Sequence, residues 1–219
     1  MYNSTQKVKA VFFDMDGTVL DTEPIHTLAF AEAFKRRGVK DEVDFLQRCI
    51  GLNIAEMRKL YTAEIGAGED FDALDELAWE IAGRLKIEQG IKAKPGFFEL
   101  IEFLASINAK SYIVTSTLRK IALHDLELAG ALGYFTDFVC YEDYEKGKPD
   151  PLPYLTALKL SGFNADECFA IEDSWAGLTS ATGAGLRCVL IRDMAKIPEE
   201  TAKLAWADVE TLADVIDLI

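Results

Sequence analysis

Positive charge is scarce in this chain: 23 lysines and arginines stand against 37 aspartates and glutamates, a formal net charge of −14 at pH 7. Broad electrostatic binding to nucleic acid or to an anionic membrane is excluded on that ground, because both repel such a surface. An anionic substrate must instead be attracted locally, by a metal or by a few placed basic residues. Cysteine is scarce too. Cys49, Cys140, Cys168 and Cys188 are scattered, with no Cys-x-x-Cys pair, and the last three lie in strand-like runs. They read as small buried hydrophobes in a reducing cytoplasm. Long apolar runs are missing as well. The opening MYNSTQKVKA has no apolar core of signal-peptide length, and no stretch approaches a membrane span, so the expected location is cytoplasmic. No internal repeat or low-complexity tract is visible. What remains is 219 residues, 50% of them hydrophobic, enough for one large domain or a domain with a smaller insert.

Five short apolar runs read as buried strands: VKAVFFD, AKSYIVTS, DFVCYED, ECFAIED and RCVLIRD. Each is rich in branched or aromatic residues and ends on a polar or acidic one. Helical patterns alternate with them: a stripe of Phe98, Ile101, Leu104 and Ile107, a stretch from Thr117 to Ala129 before Gly130, a helix after Pro151 and Pro153, and a shorter one from Trp175 towards Gly183. This alternation predicts an α/β fold with a doubly wound parallel sheet, a Rossmann-like core. Thr22 to Gly90 breaks the pattern, with helices only. Thr22 caps a helix from Pro24 to before Gly38, closed by Lys35, Arg36 and Arg37, whose charges favour the helix dipole. Asn53, with Glu56 three residues on, starts a second; Phe71, Leu74, Ala78, Ile81 and Leu85 mark a long amphipathic third. The expected organisation is a core of residues 1–20 and 95–219 with an all-helical insert, 21–94, whose exit is marked by Pro95 and Gly96.

Ligands of open parallel sheets bind outside the carboxyl ends of the strands. The first strand delivers Asp14 and Asp16 there, on one face because strand side chains repeat every second residue. Like charges so close repel unless a cation or a shared proton intervenes. Their plain alternative is a solvated Asp-Gly turn. The second strand delivers Thr115 and Ser116, the loop after the third carries Lys148 in KGKPDP, and the fourth delivers Glu172 and Asp173 after the nearly uncharged run Cys168 to Ile171. Taken singly, Lys148 reads as a surface lysine, Thr115 as a strand end, and Glu172 with Asp173 as rim acids. Together they fit a hard divalent cation with oxygen ligands, Mg²⁺ first because it keeps water in its shell, and a lysine and hydroxyl suited to phosphate.

In the order DMDGTVLDTEPIH, Thr115 in IVTST, Lys148 in GKPDP, and IEDSWAG, the whole chain resembles the haloacid dehalogenase-like hydrolases, in the branch of β-phosphoglucomutase and small sugar-phosphate phosphatases. The helical insert corresponds to that branch's cap domain. The resemblance implies Asp14 as a nucleophile forming an aspartyl phosphate and Asp16 as the acid and base for leaving group and acceptor. It implies Mg²⁺ held by Asp14, the Asp16 backbone carbonyl and Asp173, with Glu172 direct or through water. Thr115 and the Ser116 amide would hold phosphoryl oxygens, Lys148 would neutralise charge, and Gly17 and Thr18 would shape the turn that brings amides to the phosphate. His26 lies where similar enzymes place a histidine near the acid/base aspartate; its alternative is the first turn of a helix. His124 reads as a helix-surface residue.

Asp16 separates this chain from dehalogenase and phosphonate-cleaving relatives, which lack that aspartate, and the absence of Lys-Thr-Gly and of membrane spans separates it from ion pumps. The implied activity is a phosphomonoesterase acting on a small phosphorylated metabolite such as a sugar phosphate, as a monomer or small homo-oligomer without nucleic-acid or membrane partners. The alternative is a hexose-phosphate mutase; a non-catalytic phospho-ligand module is disfavoured because each catalytic position is filled. A mutase must clamp a distal phosphate, normally with an arginine, and in the β-phosphoglucomutases of the branch that this chain resembles that arginine stands three residues after a cap glycine. With Gly51 as that glycine, Ile54 stands there, and Arg58, Arg84 or Lys86 would have to substitute.

Overall fold

The structure is a computed structural model that describes residues 8–39, 42–49, 54–65, 68–192 and 197–219. Among them the chain divides into two compact units, a helical one within Thr22–Ile91 and a sheet unit formed by the segments on either side. The five strand-like runs resolve into β1 (Ala10–Phe13), β2 (Lys110–Val114), β3 (Asp137–Val139), β4 (Cys168–Glu172) and β5 (Arg187–Ile191). A sixth strand, β6 (Ala207–Val209), corrects the expected count of five. It is three residues long and partly exposed, so it carries neither the length nor the apolar density that marks a buried strand.

All pairings are parallel, in the order β3-β2-β1-β4-β5-β6. β1 is therefore central, flanked by β2 on one side and β4 on the other. The chain builds outward from β1 to β2 and β3, then crosses back to lay β4 against β1's free edge. That reversal makes the carboxyl ends of β1 and β4 the topological switch point, where a crevice for ligand opens.

β1 is buried on both faces, which its uninterrupted run AVFF requires. Phe12 joins a core of Tyr112, Val114, Tyr154, Ala170 and Leu178, closed by α7 (Leu152–Ser161) and α8 (Trp175–Gly183). Phe13 points the other way, its ring 5.8 Å from Phe135, which stacks on Phe97 of α5 (Phe97–Ser106) at 6.0 Å. Each such ring stabilises the fold by about 1.5–3 kcal/mol relative to exposure. Of the expected stripe on α5, Ile101 and Leu104 are buried, Ile107 is half-buried and Phe98 is 39% exposed, while Phe97 and Leu100 complete the buried face. Gly96 stands at the N-cap of α5 with a left-handed φ of 82°, a conformation glycine adopts without strain. α6 (Arg119–Leu128) lies between β2 and β3 in sequence, and the short α9 (Glu199–Ala202) precedes β6.

The helical unit contains α1 (Glu23–Arg37), α2 (Glu42–Cys49), α3 (Ile54–Glu64) and α4 (Gly68–Gln89). Phe34, Phe45, Tyr61 and Phe71 bring one aromatic ring from each helix to a shared centre, with centroids 5.3–6.0 Å apart. α2 was not expected; its eight residues are too few for a clear helical period. Thr22 occupies the N-cap position of α1, but its side chain makes no cap bond and its backbone is already helical, so the expected capping role is corrected. Lys35, Arg36 and Arg37 do occupy the last turn, before Gly38 in the left-handed region. Asn53 and Gly51 lie outside the described residues.

Candidate active site

The site is built at the carboxyl ends of β1, β2 and β4 and on the loop before α7. The last ladder contact of β1 is the Asp14 amide donating to the Ile171 carbonyl at 3.0 Å, which places Asp14 beside the end of β4. A tight turn follows: the Gly17 amide donates to Leu20 at 2.8 Å, the Val19 amide to Met15 at 2.9 Å, and Gly17 has φ 83°. A side chain at Gly17 would be strained in that conformation. Met15 is fully buried, opposite Asp14 and Asp16, as the strand alternation requires. Thr18 is buried, its hydroxyl 3.5 Å from Asp173 Oδ1, at the outer limit of a hydrogen bond.

Lys148 organises the centre. Its Nζ donates to Asp14 Oδ1 at 2.5 Å, to Glu172 Oε1 at 2.6 Å and to the Val114 carbonyl at 2.9 Å. These use all three ammonium protons. Burial by itself would lower the lysine pKa, but the charges of Asp14 and Glu172 outweigh it and raise the pKa, so the side chain is an ammonium. Burial pushes the Asp14 carboxyl up to about 7 against the pull of Lys148, and repulsion from Glu172 and Asp16 adds to the rise.

Glu172 is fully buried and held on both oxygens. Oε1 also accepts from the Tyr154 hydroxyl at 2.6 Å, and Oε2 accepts from Ser174 Oγ at 3.2 Å. Ser174 caps α8, its Oγ accepting from the Gly177 amide at 3.0 Å. Gly177 has no side chain for a visible reason: a Cβ there would lie 1.8 Å from Glu172 Oε2. Burial, followed by the nearby charges of Glu172 and Asp14, holds the Tyr154 phenol well above its ordinary range, so it stays a donor.

Asp14, Glu172 and Asp173 each offer an oxygen, and these oxygens lie within 4.8 Å of one another. Three carboxylates meeting there exceed what the Lys148 ammonium neutralises, and an all-oxygen donor set matches a hard divalent cation such as Mg²⁺. The residues therefore fit the cation that the sequence led one to expect. The Asp16 carboxylate is outside this trio; Thr117 Oγ1 donates to its Oδ2 at 2.9 Å. Thr115 is buried, and its Oγ1 accepts from the Thr117 amide at 3.1 Å, while Tyr144 donates to the Thr115 carbonyl at 2.9 Å. Ser116 is exposed at the rim.

Asp14, Asp16, Gly17, Thr18, Thr115, Ser116, Lys148, Glu172 and Asp173 thus all belong to the sheet unit and come from segments that the parallel ladder aligns. His26 and Arg58 belong to the helical unit. His26 meets the Trp79 ring edge-on at 5.3 Å, and Arg58 pairs with Asp72 and lies over Phe71 at 5.1 Å. Ile54 is 44% exposed on α3. Thr117, Tyr144, Tyr154, Ser174 and Gly177 were given no role by sequence reasoning. Thr117, Ser174 and Gly177 lay inside quoted motifs and had a signal; Tyr144 and Tyr154 had none. His124 is half exposed on α6, and the four cysteines are free and buried.

The family model of the haloacid dehalogenase-like hydrolases matches residues 11–191. This chain belongs to that family of hydrolases and phosphatases. Among curated proteins, it is 29% identical over 179 residues to the phosphorylated carbohydrates phosphatase of Thermotoga maritima, covering 82% of each chain. It is 31% identical over 183 residues to the validoxylamine A 7'-phosphate phosphatase of Streptomyces hygroscopicus subsp. limoneus, covering 83% of this chain and 84% of that one. Among solved structures, CbbY of Rhodobacter sphaeroides in complex with phosphate superposes with a TM-score of 0.80 at 23% identity, over 95% of this chain and 96% of that one, a likeness of fold.

Proposed function

We propose that this protein is a Mg²⁺-dependent phosphomonoesterase acting on a small phosphorylated carbohydrate through an aspartyl phosphate on Asp14. The observation that carries the reading is the hydrogen-bonded line Asp14–Lys148–Glu172 at the switch point, with Asp16 two residues on and held by Thr117. The names of the phosphatase relatives support the substrate class.

Asp14 attacks phosphorus in line, forming the Asp14–phosphorus bond as the ester bond breaks. Asp16 gives its proton to the departing oxygen. In the second half-reaction water attacks the acyl phosphate, Asp16 takes the water's proton, and inorganic phosphate leaves with Asp14 regenerated. Lys148 stabilises charge on Asp14 and on the phosphoryl oxygens. Thr115 accepts from the Thr117 amide and so keeps its own proton to donate to phosphate; the Ser116 amide holds a phosphoryl oxygen, and Gly17 and Thr18 shape the turn that brings amides to the phosphate. Asp14, Asp173 and the Asp16 backbone carbonyl would hold Mg²⁺, which supplies charge neutralisation and orientation of the phosphoryl group when bound. The three donors to Glu172 favour its acting on that cation through water. His26 and Arg58 are assigned to the cap's side of substrate selection.

Turnover of a panel of sugar and polyol phosphates with Mg²⁺, scored for free phosphate, tests the reading; no release from any member would sink it. The mutase alternative needs a second anion clamp, and Arg58 is already engaged with Asp72. Conversion of β-glucose 1-phosphate to glucose 6-phosphate with the bisphosphate primer, running much faster than phosphate release, would promote that alternative.

A further inference from the structure

Within a largely apolar layer, Tyr154 of α7 donates a hydrogen bond to Glu172 at the end of β4. Tyr154 is completely buried there, among Phe12, Val114, Ala170 and Leu178. A phenylalanine would fill the same space with no polar group to satisfy, whereas a buried hydroxyl without a partner is costly. The hydroxyl spends its proton on Glu172 Oε1, the oxygen that also receives Lys148. The Tyr154 ring meanwhile lies 5.3 Å from the Lys148 ammonium, within cation–π range.

Lys148 has three acceptors. The Val114 carbonyl is fixed by β2, and Asp14 follows the last ladder bond of β1. Glu172 is the acceptor whose side chain must itself be fixed. Gly177 lets the carboxylate lie against α8, Ser174 holds Oε2, and Tyr154 holds Oε1.

We propose that Tyr154 is a positioning residue: its hydroxyl clamps Glu172 as the counter-charge of Lys148 and thereby keeps the ammonium aimed at Asp14. The assignment rests on the phosphatase reading for its activity readout. It goes beyond that reading in placing a control of the site on α7, at a completely buried residue outside the acidic trio.

Tyr154→Phe keeps the ring, its volume and its cation–π contact and removes only the hydroxyl. The expected result is a fall in kcat of about 10- to 100-fold, the range for losing an outer partner of a site group, with little change in KM. The same substitution in a Glu172→Gln background should cost almost nothing further, because its route of action is already broken. Acetic anhydride labelling of the metal-free protein, read peptide by peptide, should show Lys148 acetylated faster in Tyr154→Phe than in the original, relative to exposed Lys9 and Lys203. Unchanged kcat in Tyr154→Phe, equal losses in both backgrounds, or unchanged Lys148 labelling would each overturn the proposal. If the unsubstituted protein turns over no phosphate ester, the phosphatase reading fails, and the labelling experiment still decides whether Tyr154 holds Lys148.

Discussion

At Asp14, burial and charge oppose each other. Its carboxyl stands raised to about 7, chiefly by burial, above the ordinary 3.8. An acid whose folded pKa lies above its unfolded one contributes stability that is full below the unfolded value and is lost as pH rises through the folded value. Metal-free protein should therefore lose melting temperature relative to Asp14→Asn as pH climbs from about 4 to about 7, because the amide does not ionise. Asp14→Asn should also abolish phosphate release while remaining folded; wild-type rates on an activated aryl phosphate would refute the covalent scheme. Gly177 gives a prediction whose sign is diagnostic. Helix propensity alone makes Ala better than Gly by about 1 kcal/mol in a helix interior. The clash with Glu172 acts the other way, so Gly177→Ala should destabilise, by about 1–3 kcal/mol or more, and lower kcat. A denaturation midpoint above the original would show that the carboxylate moves aside freely. Asp14, Asp16, Thr115, Lys148, Glu172 and Asp173 were legible in the sequence as places, since each stands where an apolar run ends or in a loop that follows one. Tyr154 was not, because a phenol tip inside PLPYLTALKL looks like any other apolar helix residue until the neighbouring strand is known.

Among the elements, α8 shows how one side chain serves two purposes. Ser174 Oγ accepts from the Gly177 amide in the first turn of α8 and gives its own proton to Glu172. Ser174→Ala should cost about 1 kcal/mol from the lost cap. For a chain of this size that is a melting shift of about 2–4 °C. A drop in kcat alongside it would report the second bond; an unchanged kcat would leave the serine as a cap alone. The long elements were readable because their periods are long: the apolar spacing in α4 runs through Phe71, Leu74, Ala78 and Ile81, all buried. β6 and α2 were not, for they are too short to show a period, and their existence depends on partners elsewhere. Phe98 reads as a core residue in place of Phe97 because the two are chemically alike and adjacent, and the close packing at Gly96 is not visible in the sequence. There a Cβ would lie 2.2 Å from the Ala213 backbone nitrogen, in the 3₁₀ segment Leu212–Leu218.

For the whole molecule, the acidic trio links metal to stability. A cation that binds the folded sheet unit and not the unfolded chain raises the melting temperature by mass action. Mg²⁺ titration against a chelator should show that rise, and Asp173→Ala should flatten it and abolish turnover even at high Mg²⁺. No change of either quantity on chelation would remove Mg²⁺ from the scheme. The strand order has a further consequence, in the time domain of synthesis. β1 finds its neighbours near positions 110 and 168, so neither exists when its four apolar residues are first made. At roughly 5–20 residues per second, they remain unpaired for many seconds, while the helical segment between β1 and β2 already has its nearby partners. Asp14 is thus among the first groups of the site to be synthesised and among the last to be held in place. A nascent chain stalled before β4 carries Asp14 and lacks the strand that seats it.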